Sequence, residues 1–176
     1  MPGIDILVME GHIAYISVGS NIGDKLQNCQ KGISALKQPR VSKLRAQSPF
    51  YLSEPVDYKE QNWFINAVVK IETTLKPFLL LEKLKAIQLQ AGRKHDRIRY
   101  GPRILDLDIL LYNDWVTGSP GLKIPHPRMH KRRFVLQPIC DIDKSIIHPV
   151  FKKDMKSLLD NLDHDGQRLV EYKCDY

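Results

Sequence analysis

"WFINAVVKIETTLKPFLLLEKLKAIQLQAG", residues 63–92, changes its hydrophobic period midway. Its first part, 63–73, is rich in β-branched and aromatic residues and is predicted as a strand. Its second part places Leu80, Leu84, Ile87 and Ala91 on one helical face, with Pro77 in the first turn and Gly92 as C-terminal cap. Working outward, "HIAYISV" (12–18) reads as a strand and "GSNIGDK" as a turn. A helix follows from about Asp24 to Leu36, with Leu26, Cys29, Ile33 and Leu36 at helical spacing and Pro39 beyond its end. "VSKLRAQSPFY" (41–51) is a second strand, and "ILDLDILLY" (104–112) follows the second helix. The resulting order βαββαβ predicts an α/β (α+β) ferredoxin-like sandwich. Its sheet is largely antiparallel, with helices packed on one face and active-site loops over the open side.

The remaining segments are predicted with less regular structure. "LSEPVDYKEQN" (52–62) is a polar, mobile surface loop, and "RFVLQPIC" (133–140) is either a strand or the start of a helix. "DMKSLLDNL" (154–162) carries a short amphipathic helical pattern. With 176 residues and no internal repeat, residues 1–176 are expected to form a single catalytic domain, with 151–176 as a C-terminal extension. Cys29, Cys140 and Cys174 are scattered without a CxxC, which favours reduced structural thiols. The first residues lack a basic region and a long apolar run, so neither a signal peptide nor a membrane span is expected, and the chain reads as cytoplasmic.

Chemistry concentrates after the second helix. From Arg93 to Arg133 there are ten Lys and Arg against four Asp, most of the net charge of +7. Such a segment attracts nucleic acid, anionic lipid or a nucleotide polyphosphate. Within it, Asp106 and Asp108 interrupt an apolar strand and share one face, while Leu105, Leu107 and Ile109 take the other. Paired carboxylates stay ionised when cations neutralise them. Mg²⁺ could do this with substrate phosphates, ion pairing with Arg103 could do it, and exposure at a sheet edge is the plain alternative. The preceding "GRKHDRIRYGPR" brings Arg93, Lys94, Arg97, Arg99 and Arg103, which suit phosphate oxygens. Phosphoryl transfer needs such convergence of charge.

"GSNIGDKL" is not a Walker loop, because Asp24-Lys25-Leu26 replaces G-K-[ST]. In "PHPRMHKRRF" (125–134), His126 is either structural or a donor to a polyphosphate beside Arg132 and Arg133. His126 and His130 mimic a zinc pair, but Pro127 breaks any helix between them. A rival reading is a non-catalytic basic ferredoxin-like module that binds RNA. Against it, no RNP1-like aromatic motif lies on the candidate strands.

"SVGSNIGD", "FYLSEPV", "QNWFINAVV", "GPRILDLDILLY" and "IPHPRMHKRRFVLQPI" together resemble the 6-hydroxymethyl-7,8-dihydropterin pyrophosphokinases of folate synthesis, over about residues 13–150. The resemblance implies transfer of the β,γ-pyrophosphoryl unit of ATP to the pterin hydroxymethyl oxygen, with two Mg²⁺ held by Asp106 and Asp108. It implies ATP contacts at Lys85, Gln88, Arg93, Tyr100, Arg103, Ile109, Lys123, His126 and Arg132. It implies pterin contacts at Ser53, Val56, Phe64, Asn66, Asp106 and Phe134, and catalytic roles for Arg93, His95, Arg103 and Asp108. Three positions depart from the family pattern: His95 replaces an arginine, Gln88 a glutamate and Lys85 a glutamine. The implied partners are ATP and the pterin, with no nucleic acid or membrane. The chain is expected to act as a monomer that can dock to other folate enzymes, and its length leaves no room for a fused one.

Overall fold

β1 (His12–Ser20) is the strand on which the rest of the protein is assembled. It pairs antiparallel with β4 (Phe64–Thr73) on one side and with β5 (Asp106–Tyr112) on the other. The computed structural model describes residues 11–92, 101–163 and 166–173. The expected second strand is split into β2 (Ser42–Gln47) and β3 (Tyr51–Ser53), both antiparallel to β4. Pro49 lies between them and has no N–H for the ladder. Ser48 bridges the break: its N–H donates to the Val68 carbonyl (3.0 Å) and its Oγ accepts from Val68 N (3.0 Å). A hairpin of β6 (Thr117–Ser119) and β7 (Leu122–Ile124) stands apart, and β8 (Leu169–Glu171) extends the main sheet beyond β3. The spatial order β5-β1-β4-β3-β8, with β2 also on β4, is the predicted antiparallel ferredoxin-like sheet with one strand added.

α1 (Lys25–Leu36) and α2 (Pro77–Gln90) cover the first face. Asp24 caps α1 by accepting from Gln27 N (3.0 Å), and Gly92, at φ +95, closes α2. Cys29, Ile33, Leu80, Leu84 and Ile87 of these helices meet Ile16, Val18, Ile71, Leu105 and Leu107 in one core. Each such side chain, fully buried, contributes about 1.5–3 kcal/mol. Burial also pushes the Cys29 thiol up to about 12, so it is inert, and the free Cys140 thiol up to about 11; Cys174 lies outside the described residues.

The second face is not open throughout, as the strand pattern had suggested. Residues 133–140 form part of a helix, α3 (Arg133–Asp143), and with α4 (Met155–Asp160) it covers one end of that face. Val135, Leu136, Ile139, Met155 and Leu158 pack there on Tyr15, Val68, Leu110 and Leu111. A register shift between Tyr15 and Ile16 lets Leu110 and Leu111 both join this second core, and returns Tyr112 to the first. The other end of the same face stays uncovered.

Candidate active site

The uncovered end is an open cleft lined from β1, β3, β4, β5 and the start of α3. Its floor follows from strand alternation: Ser17 sits opposite Asp108 and Gly19 opposite Asp106, all on the face shared with Tyr15. Gly19 leaves room there, because a Cβ would come within 2.8 Å of Asn66 Oδ1 and displace that side chain. Asn66 in turn donates to Ser53 Oγ (2.7 Å), and both are buried. Phe64, from β4, and Phe134, from the start of α3, supply apolar surface, and Val56 overhangs the opening with 43% exposure.

The electrostatics are those of an anion site with an acidic floor. Arg103 Nη1 donates to Asp106 Oδ1 at 2.7 Å, so the ion-pair reading holds for one aspartate. Arg132 lines the cleft, stands 5.5 Å over the Phe134 ring and 3.6 Å from Asp57, and lies in the field of Asp106 and Asp108. His126 is neighboured by Arg132, Arg128 and Asp106. Burial, then Arg132 and Arg128, lower its pKa to about 4. Its Nδ1 accepts from Arg128 N (3.2 Å), so at neutral pH it offers one N–H donor from Nε2 and no charge.

The pterin set expected from sequence, Ser53, Val56, Phe64, Asn66, Asp106 and Phe134, is thus brought together, with Asp108, Arg103 and Arg132. Five expected ATP residues are not on the cleft wall, His126 among them. Lys85 is exposed and paired with Glu82 (2.9 Å), and Lys123 is exposed on β7. The Ile109 side chain belongs to the first core, because alternation turns it away from the aspartates. Gln88 is buried: its Oε1 accepts from Leu107 N (3.2 Å) and its Nε2 donates to the Leu84 carbonyl (3.3 Å). Arg93, His95 and Tyr100, with Lys94, Arg97 and Arg99, lie outside the described residues. His130 is not beside His126 as a ligand; its ring packs on Phe151 and His148 (4.6 and 6.4 Å between centroids).

Two residues missed by the sequence reading hold the cleft together. Asn21 is 1% exposed; its Oδ1 accepts from Arg103 N (2.7 Å), and its Nδ2 donates to Gln61 Oε1 (2.9 Å) and the Asn62 carbonyl (3.2 Å). It therefore joins the segment carrying Arg103 to the far end of the 54–63 loop. Asp57 accepts from Arg128 Nη1 at 3.0 and 3.1 Å, tying the middle of that loop to the basic segment. The loop expected to be mobile is tethered.

The carboxylate pair fits a hard divalent cation. Both oxygen donors face one cleft, and no cluster of three or more His, Cys, Asp or Glu exists among the described residues. Such a cation would complete its shell from ligand oxygens and water. No helix among the described residues is long and apolar enough to cross a membrane.

Comparisons with known proteins agree with this geometry. The family model described as "7,8-dihydro-6-hydroxymethylpterin-pyrophosphokinase (HPPK)" matches residues 15–144. A 2-amino-4-hydroxy-6-hydroxymethyldihydropteridine pyrophosphokinase of Aquifex aeolicus is 38% identical over 142 residues, 81% of this chain and 87% of the relative. The protein of that name from Bacillus subtilis is 41% identical over 135 residues, 77% and 80% of the two chains. The Schizosaccharomyces pombe "Folic acid synthesis protein fol1" is 41% identical over 157 residues; the match spans 89% of this chain but 21% of that protein. Among solved structures, a Plasmodium falciparum HPPK-DHPS chain superposes with TM-score 0.70 at 14% identity, covering 88% of this chain and 46% of that one. That likeness concerns the fold. The RNA-binding alternative finds no support among these relatives.

Proposed function

Because the chain belongs to the 7,8-dihydro-6-hydroxymethylpterin-pyrophosphokinase family, we propose that it transfers pyrophosphate from ATP to the hydroxymethyl group of 6-hydroxymethyl-7,8-dihydropterin, releasing AMP. The observation that carries this reading is the floor of the cleft: two carboxylates on one strand face, rimmed by Arg103 and Arg132, beside Phe64 and Phe134. The phenylalanines offer apolar faces to a flat bicycle, and Asn66 and Ser53 offer polar groups to its edge. The substrate hydroxyl then lies over Asp106 and Asp108. Its oxygen attacks the β-phosphorus, the bond from that phosphorus to the α-phosphate oxygen breaks, and AMP departs. Asp108 accepts the hydroxyl's hydrogen bond as charge develops. Arg103, Arg132 and the His126 N–H neutralise phosphate oxygens, with the arginines of 93–99 as further donors.

Two Mg²⁺ held by Asp106 and Asp108 would supply neutralisation of the phosphate charge. The reading further places the enzyme in the cytoplasm, as a monomer that can dock to other folate enzymes. The test is AMP formation from ATP and the reduced pterin alcohol. Wild-type chain should form AMP only when the pterin is present. Asp106→Asn and Asp108→Asn should each lower turnover by about two or more orders of magnitude while leaving the unfolding midpoint nearly unchanged. Near-normal turnover in both variants would remove the assignment of the aspartates.

A further inference from the structure

The segment 166–173 lies outside residues 15–144 matched by the family model, yet it is built into the edge of the cleft. β8 runs antiparallel to β3, with Ser53 opposite Leu169 and Leu52 opposite Val170. Glu54, the next residue after β3 and a wall of the cleft, is fixed to this segment by its backbone and its side chain. Its N–H donates to the Arg168 carbonyl (3.2 Å) and its carbonyl accepts from Gln167 Nε2 (2.8 Å). Its Oε2 accepts from Arg168 N (3.2 Å). Arg168 also places its guanidinium 5.5 Å over the ring of Trp63, at the other end of the same loop. One residue thus spans the neck of loop 54–63. Between those points the loop carries Pro55, Val56, Asp57 and Gln61, all on the cleft wall.

We propose that Arg168, seated by β8, is a positioning residue for the pterin side of the cleft: it holds the neck of loop 54–63 closed, so that the loop is ordered before substrate arrives. This rests on the pyrophosphokinase reading for the identity of the substrate. The chemistry is preorganisation. A loop already fixed at both ends loses less freedom on binding, and the gain falls on the ligand that touches it. The contacts of 166–173 fall on β3, Phe50, Glu54 and Trp63, at the pterin end. A general packing role would weaken both substrates alike; a positioning role splits them.

The experiment uses the full chain with two substitutions, Arg168→Ala and Val170→Pro. The first removes the cation–π contact alone, and the second places a residue without an N–H at the centre of β8. Pterin KM and pterin Kd should rise about two- to five-fold in Arg168→Ala, the range of an exposed cation–π contact. They should rise further in Val170→Pro. The KM for ATP should rise in neither variant, and kcat at saturating pterin should stay within about two-fold of wild type. Arg168→Lys should restore most of the loss. Hydrogen exchange of residues 54–63 should speed up in both variants without ligand. Unchanged exchange and unchanged pterin KM would overturn the proposal, as would a parallel loss for both substrates. If wild-type chain forms no AMP, the pyrophosphokinase reading fails, while the exchange measurement still decides whether Arg168 orders the loop.

Discussion

Asp57 holds the guanidinium of Arg128 and stands beside that of Arg132, which the proposed reaction assigns to phosphate oxygens. Its carboxylate takes both of its bonds from Arg128 and stands 3.6 Å from Arg132. These groups are partly exposed, so the pairing is worth only about 0.2–1 kcal/mol. Asp57→Asn should therefore lower the KM for ATP by at most about five-fold at low salt, and salt should shrink the difference. Initial-rate kinetics at two ionic strengths checks this; an ATP KM that rises in the variant would refute it. At this scale the sequence is legible where a local pattern is broken. Asp106 and Asp108 stand out because carboxylates interrupt an apolar strand. Asp57 and Asn21 do not, since their partners lie 71 and 82 positions away and leave no periodic trace. Asn21 was visible only as part of the turn "GSNIG".

The main elements were legible by different signals: a buried helical face in α1 and α2, and dense β-branched or apolar residues between turns in β1, β4 and β5. α3 remained ambiguous because Pro138 interrupts a short segment that reads equally as a strand. What decides it is tertiary: Val135, Leu136 and Ile139 find apolar partners on the second sheet face. Gln88 illustrates the converse. Resemblance assigned it to ATP, but it connects α2 to the outer edge of β5 by accepting from Leu107 N, the residue between the two aspartates. Gln88→Leu should leave that N–H buried without this acceptor and cost about 1–3 kcal/mol, read from chemical denaturation. Gln88→Glu keeps an acceptor and should retain more of the stability. Equal losses in the two variants would mean that the bond to Leu107 is not what matters.

The molecule as a whole is sensitive to acid through buried histidines. His148 is 3% exposed; its Nδ1 accepts from Val150 N and Phe151 N (3.2 Å each), and burial, then His130, lower its pKa to about 4. His126 is lowered to about the same value. The unfolded chain binds protons at these sites near the ordinary 6.5, where the folded chain does not. Their contribution to stability is therefore complete above 6.5 and is lost as pH falls towards 4. Denaturation midpoints should decline over that window. His148→Asn, which retains an acceptor without titrating, should flatten part of the decline; an unchanged slope would exclude His148 as a source. A last consequence concerns time rather than energy. β1 is synthesised early but sits between β4 and β5, so its two ladders await residues 64–73 and 106–112. The cleft also needs Phe134, so a nascent chain holds no binding site until most of its length has emerged. Pairings so distant in sequence slow folding to milliseconds or longer. Substrate affinity should therefore return on refolding together with the last cooperative phase, not before it.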